Sequence, residues 1–372
     1  MKTLHLCSYY IGSKVHRRLI EAVAASGGGD QHVWVPIRKA EHRGVNNISS
    51  PGVNVYYTKC LGIFTRLFFS WKLISLFGAF SYLSKGKGLE GVDVVHAHTL
   101  YSDGFLAYFL SKRYSVPYVL SVRSTDVNVF ERALPHWRWA VRKVLAEAKY
   151  VLFISPAHKE VIEKKYQLCK SKSLFFGSAV DDYWIEHLKQ QRPVCGQGRF
   201  NAIYVGDINL NKNIKSAIKG FFSLALGEKA TFTVVGGDYV DYKAVYGELP
   251  GHIRERVFFF PRVTEHATIC RYLADAAVLV MPSHFETFGL VYMEAISQCV
   301  PIVYSKGQGI DGLYPEGYVG FSCESRCERS IADAISRALA AFPNGLTFQD
   351  AGNPVEAFSW NRRAEFLLKR VY

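Results

Sequence analysis

Two glutamates with seven residues between them, Glu286 and Glu294, stand in the stretch MPSHFETFGLVYMEAISQCVPI, residues 281–302. A carboxylate accepts hydrogen bonds from two donors at once, so this residue type suits a ligand rich in hydroxyls. Eight positions are a little over two helical turns, which lets both carboxylates fall on one side of a helix start. Free N–H groups and the dipole at such a start favour an anion, and Gly289 allows close backbone approach there. Upstream, GDINLNKNIKSAIKGFF (206–222) places Gly206 in a turn and Lys212 ahead of a helix, in principle a phosphate site. The two stretches suit a polyhydroxylated, phosphorylated ligand. Two glutamates on a solvated helix face is the plainer reading, but it gives no use to Phe288-Gly289 or to the preceding Pro282-Ser283.

A second group is histidine-rich. VDVVHAH (92–98) reads as a strand with His96 and His98 at its carboxyl end, where open α/β sheets bind ligands. His98 suits a structural core histidine as well, and both readings stand.

The elements that must position these residues follow from period and punctuation. Apolar runs over 3–8, 32–36, 92–98, 118–121, 151–155, 201–205, 231–235, 257–260, 276–281 and 302–304 predict buried parallel strands. Between them lie helices, including 15–25 and one through about 298 with Thr287 as its N-cap. Alternation of this kind gives doubly wound sheets. Gly12, in the first strand-to-helix loop, permits a ligand to approach the backbone; the glycines at 27–29 end a helix.

A length of 372 residues suits two domains, each with its own core. Eight cysteines without CxxC spacing argue for reduced thiols in a cytoplasm and against a zinc site. The opening MKTLHLCSYYIG is too short an apolar run for a signal peptide, and no stretch of 18 uncharged apolar residues predicts a membrane span. Net charge is +13 and lies on one side of the chain: residues 1–180 hold 25 Lys/Arg against 11 Asp/Glu, and the rest 20 against 21. An anionic partner for the first half follows: a membrane surface, an acidic acceptor or nucleic acid. Nucleic acid has no matching RRM, KH, helix-turn-helix or zinc signature here.

Residues 60–88, CLGIFTRLFFSWKLISLFGAFSYLSKGKG, mix Phe64, Leu67, Phe68, Trp71, Ile74, Leu76, Phe77 and Phe80 with Arg66, Lys72, Lys85 and Lys87. Such a helix can lie in an anionic bilayer interface, or form a core helix with solvated lysines. Residues 132–149 carry a second basic-aromatic helix with Trp137, Arg138, Trp139, Arg142 and Lys143.

The Glu-x7-Glu stretch resembles the signature of retaining GT-B glycosyltransferases of the group-1, family-four type. Further pieces follow in the family's order: Asp93, His96 and His98; Asp126; FFGSAVDDYW (175–184); Gly206, Lys212 and Asn213; Gly236-Gly237; Phe358-Ser359-Trp360. Within 175–184, Ser178 and Ala179 stand where the family has an asparagine and a glycine, and two further positions depart. Arg123 stands where the family has a histidine, which means either a phosphate or acceptor role or a shifted alignment. Asp207 replaces the arginine that, with the lysine, clamps the donor diphosphate. Losing one such cation weakens donor binding by roughly 1–3 kcal/mol, with Arg123, Lys215 or the helix dipole at 286–290 as candidate compensation.

The resemblance implies a GT-B architecture, two Rossmann-like doubly wound α/β domains facing a deep interdomain cleft. The domains would cover 1–185 and 199–354, with a linker at 186–198 and a closing helix over 355–372 returning to the first. It implies retaining, metal-independent hexosyl transfer from a UDP- or GDP-linked sugar, with no cofactor besides that co-substrate. Glu286 would hold donor sugar hydroxyls and Glu294 the ribose. Lys212 and the amides of Phe288, Gly289 and Leu290 would take diphosphate charge, with His98 contacting the transferred sugar. Gly12, Gly206, Asp207, Arg123 and Val263 complete the expected donor contacts. The acceptor would be a saccharide or lipid-linked saccharide in glycolipid, capsule or lipopolysaccharide synthesis. That places the protein in the cytoplasm, with peripheral attachment at the inner membrane face. A GT-B protein that binds a sugar nucleotide or glycan without turnover is the alternative, motivated by Asp207 and Arg123.

Overall fold

A computed structural model describes residues 1–84, 90–191, 200–348 and 352–372. Most of the predicted linker, and Lys85 and Lys87, lie outside these residues. The chain divides into two units, Met1–Ile154 with His158–Ala179 and Trp360–Tyr372, and Ser155–Ala157 with Val180–Ser359.

The first unit is built on β1 (Lys2–Leu6), β2 (Asp30–Ile37), β3 (Val53–Lys59), β4 (Val94–Ala97), β5 (Tyr118–Val122), β6 (Tyr150–Phe153) and β7 (Ser173–Phe175). They pair in parallel in the order β3-β2-β1-β4-β5-β6-β7. Because side chains alternate along a strand, Leu4, Leu6, Val95 and Ala97 share one core with α3 (Phe69–Ser84), α4 (Asp103–Tyr114) and the helix Arg138–Glu147. Here α3 packs on α4, and α4 on Arg138–Glu147, so the three form one layer. The opposite face receives α1 (Lys14–Ala25), whose buried His16, Leu19, Ile20 and Val23 recur at helical spacing. Ser13 caps α1 by accepting from the Val15 N–H at 3.3 Å.

The segment Trp360–Tyr372 also belongs to this unit, and its helix Trp360–Arg370 packs on α1. The Tyr372 hydroxyl meets His96 Nδ1 at 2.5 Å, and its carbonyl accepts from Lys149 Nζ at 2.8 Å.

The second unit repeats the permutation. Its strands β8 (Asn201–Val205), β9 (Thr231–Val235), β10 (Val257–Phe260), β11 (Val278–Met281), β12 (Ile302–Ser305) and β13 (Gly320–Cys323) run in parallel in the order β10-β9-β8-β11-β12-β13. All four residues of β11 are buried, as expected of a central parallel strand covered on both faces. In both sheets the strand order reverses once, beside β1 and β4 and beside β8 and β11. Crevices form at such switch points. Among the described residues no helix is long and apolar enough to cross a membrane.

Candidate active site

Beyond the carboxyl ends of β8 and β11 lies a cavity of about 290 Å³. Lys212 and Glu286 line it together, with Nζ donating to Oε2 at 2.7 Å and both side chains largely buried. Two loops create this approach, and asparagines lock them together. Asn211 Nδ2 donates to the Phe285 carbonyl at 2.9 Å, and its Oδ1 accepts from the Phe285 N–H at 3.0 Å. Asn213, in the left-handed region at φ 54°, donates to the Pro282 carbonyl at 3.2 Å. The Glu286 backbone is fixed from the other side, its N–H donating to Gln308 Oε1 at 3.1 Å and its carbonyl accepting from Gly309 at 3.3 Å.

The helix after this loop is Leu290–Ser297, and its N-cap is Gly289 at φ 81°, not Thr287. The Thr287 N–H instead donates to Glu286 Oε1 at 3.1 Å, and the helix begins three residues later. A Cβ at Gly289 would strike the Tyr292 ring, so this corner admits only glycine. The backbone N–H groups of Phe288, Gly289 and Leu290 have no acceptor among the described residues. The Phe288 side chain is itself core, packed against Phe358, so only its backbone faces this corner. Gly206 and Gly236 form part of the wall; a Cβ at Gly236 would strike the Gly206 carbonyl.

The Asp207 carboxylate pairs with Arg262 at 3.1 Å, both side chains being well exposed on the rim of this cavity. A second cation therefore stands beside Lys212, supplied from the loop after β10 across 55 residues of sequence. Sequence reading counts Val263 among the donor contacts and misses its neighbour Arg262; the only trace in the sequence is an unmatched acid at 207 and an arginine among apolar residues. Val263 lines the same wall. Lys215 faces elsewhere: its Nζ donates to the Tyr246 carbonyl at 3.1 Å, and it lines a separate cavity with His284 and Arg326.

Glu294 follows the wall residues Leu290 and Val291 by one turn on the same helical face. Burial, and then the charge of Asp181, push its carboxyl up to about 7. Its side chain makes no hydrogen bond among the described residues.

The first unit treats its switch point differently. In parallel register His5 lies beside His96, and alternation puts His98 on the same face. His98 Nε2 is 3.0 Å from His5 Nδ1, and its Nδ1 is 3.2 Å from His16 Nδ1. His5 Nε2 reaches Gln31 Oε1 at 2.8 Å, and His96 Nε2 reaches Ser121 Oγ at 2.9 Å. Burial holds His5 down to about 4 and the other three well below the usual imidazole value, so all four are neutral at pH 7. Arg123, its own pKa lowered by burial, donates from Nε to the His98 carbonyl at 3.1 Å and lies 3.5 Å from His16 Nδ1. Potential metal-ligand atoms of His5, His96 and His98, and of Cys7, His16 and His98, lie within 4.8 Å of one another. Both ring nitrogens of His5, His96 and His98 are already engaged, by one another or by His16, Gln31, Ser121 and Tyr372, and the guanidinium beside them repels a cation, so the set reads as a hydrogen-bonded network. Gly12, in the turn Tyr10–Gly12, has open space where a Cβ would sit.

Known sequences and structures give the family and the fold. The family described as "Glycosyl transferase 4-like domain" matches residues 12–166, and "Glycosyl transferases group 1" matches residues 189–342. The chain belongs to the group-1 glycosyltransferases. The chain is 25% identical over 256 residues to a glycogen synthase of Mycobacterium tuberculosis, a match covering 66% of the chain and 60% of that relative, less than two thirds of its length. It superposes on the sucrose-phosphate synthase of Thermosynechococcus elongatus with a TM-score of 0.74 at 18% identity, covering 99% and 98% of the two chains. Anabaena HepE in complex with UDP gives a TM-score of 0.68 at 15% identity, covering 99% of each. The two parallel-sheet units are thus those of the GT-B fold.

Proposed function

We propose that this group-1 glycosyltransferase is a retaining, metal-independent enzyme that uses a UDP- or GDP-linked sugar and donates to a saccharide or lipid-linked saccharide. The observation that carries the reading is the Lys212–Glu286 pair set beside three unpaired amides at Phe288, Gly289 and Leu290. Lys212, Arg262 and these amides supply positive charge on one wall, suited to a diphosphate. Glu286, released from Lys212 by that diphosphate, accepts from hydroxyls of the donor sugar. Glu294, one turn beyond Leu290, accepts from the ribose.

In the reaction the acceptor hydroxyl forms a bond to the anomeric carbon on the face from which the diphosphate departs. The anomeric carbon–oxygen bond breaks, and the hydroxyl proton passes to a departing phosphate oxygen, so configuration is kept. The cations and amides act where charge develops on the leaving group, which is the arrangement that lowers a barrier most. UDP in the Anabaena HepE structure is in keeping with a nucleotide diphosphate as ligand. The reading rests on the second unit; His98, with both ring nitrogens engaged, and Arg123 carry no part of it. We place the enzyme in cell-surface polysaccharide or glycolipid synthesis, on the cytoplasmic side.

The deciding experiment is thermal stabilisation by UDP, GDP, ADP and their sugar conjugates, followed by transfer assays with and without EDTA. A ligand bound only by the native state raises the melting point. A shift with one nucleotide that vanishes in Lys212→Ala supports the donor site, and turnover unchanged by EDTA supports metal independence. The ion pair that Asp207 makes with Arg262 favours a second reading, binding without transfer. Nucleotide binding without hydrolysis or transfer from any donor would establish it.

A further inference from the structure

We propose that α2 (Ile63–Leu67) and the first half of α3 form a surface that docks on an anionic phospholipid bilayer. Folding has sorted the aromatic segment into two sets. Leu73, Leu76 and Phe80 are in the core of the first unit, and Phe69 and Phe77 pack against it. The remaining large apolar residues point outward: Ile63 is 70% exposed, Phe64 66%, Leu67 68%, Phe68 55%, Trp71 59% and Ile74 60%. These six fall within twelve positions, 63–74, whereas single exposed apolar residues scattered over a surface need no explanation. Neither α2, which buries none of its residues, nor α3, whose inner face is already covered by the core, has a folding reason to present these side chains to water.

The charges beside this row select the partner. Phe69 packs edge-on against Trp137, its ring centroid 5.1 Å away, which brings the start of the helix Arg138–Glu147 against α3. That helix lies in the same layer and exposes Trp139, 65% accessible, together with Arg142 and Lys143, the lysine lying over the Trp139 ring. Arg66 sits within α2 itself. Exposed aromatic and aliphatic side chains interleaved with cations are what a headgroup–acyl boundary accommodates: rings enter the interface and cations stay with phosphates. A second copy of this chain would bring like charge against like, since residues 1–180 carry 25 Lys/Arg against 11 Asp/Glu. Lys72, within the segment, takes no part; it is buried beside the rings of Tyr9 and Phe130.

Co-sedimentation of the full chain with vesicles of phosphatidylcholine alone, or mixed with phosphatidylglycerol, tests this directly. Binding to the mixed vesicles, falling as salt rises, is expected. Phe64→Ser with Trp71→Ser should reduce the partition constant at least about tenfold, and Arg142→Gln or Lys143→Gln roughly fivefold each. All four side chains are exposed, so the melting temperature should not move. Nucleotide binding should not move either, which separates this surface from the donor site. Absence of binding to mixed vesicles at low salt would overturn the proposal, as would binding indifferent to these substitutions. Concentration-dependent self-association that the Phe64 and Trp71 changes abolish would overturn it in favour of a protein partner.

Discussion

The two sheets share one strand order, yet they use the same place in it for opposite ends. Where β1 and β4 part, four buried imidazoles, Gln31, Ser121 and Tyr372 pair with one another in a hydrogen-bonded network. Where β8 and β11 part, glycines hold the wall open, and a lysine–glutamate pair faces three unpaired amides. The difference lies in side-chain size and in whether polar groups find partners inside the unit. A switch point supplies a crevice; the residues decide whether it closes as structure or stays open for a ligand.

Substitutions in the two places should therefore separate cleanly. The largest effect is expected at the open site: Lys212→Ala or Glu286→Ala lowers kcat/KM by about 10²–10³ while the thermal midpoint stays near that of the parent chain. Turnover at the parent level in either variant removes that residue from the site.

Acid should break the closed site first. The four imidazoles are held neutral in the fold, so the unfolded chain binds protons more readily below about pH 6.5. Stability is present above that pH and is lost as pH falls, His5 alone accounting for about 3 kcal/mol by pH 4. Denaturant titrations across this range read the slope, and His5→Gln should make it shallower. A slope unaltered by His5→Gln would mean that other groups dominate the acid response.

Smaller changes sharpen the picture of the open site. Arg262→Ala should weaken nucleotide-diphosphate binding roughly tenfold, whereas Asp207→Ala, which frees Arg262, should strengthen it a few fold (about 1 kcal/mol). Calorimetric titration of both variants decides; equal weakening by the two would show that the pair acts as a unit. The least effect is at Glu294. Its carboxyl ionises near 7 in the fold, so nucleotide affinity should rise as pH goes from 6 to 8 by about twofold to fivefold, with Glu294→Gln flat over the same range. A parent chain as flat as the variant would take Glu294 away from the ligand.

Much of the scaffold was legible in residues alone. Strands such as Asn201–Val205, Thr231–Val235 and the edge strand Val257–Phe260 are short apolar runs between turn residues, and their bounds agree with the sequence reading. The other three edge strands were not found: β3 reads VNVYYTK and is half-exposed, and β7 and β13 are only three and four residues long. The Glu286 loop and Lys212 were legible because each carries a glycine or lysine ahead of a helix. Three features were not, for one reason. The Asp207–Arg262 pair, the Asn211 lock and the closure of His98 by His5 and His16 join residues 55 to 93 apart, and no local period records such a pairing. Alternation did carry a partial signal in the first unit, since His5, His96 and His98 all fall on one face once β1 and β4 are set side by side. The helix start was misplaced because Thr287 has the chemistry of a cap, while Gly289 has the backbone angle.

The segment Trp360–Tyr372 completes the first unit, but the ribosome makes residues 180–359 before it. At roughly 5–20 residues per second this leaves an interval of about 10–40 s in which the first sheet exists without the helix that covers α1 and without the tyrosine that pairs with His96. The second unit gains its last residue only at the end of that interval, and the first is complete thirteen residues later. The order of synthesis thus leaves the first half unfinished for as long as the second is being made.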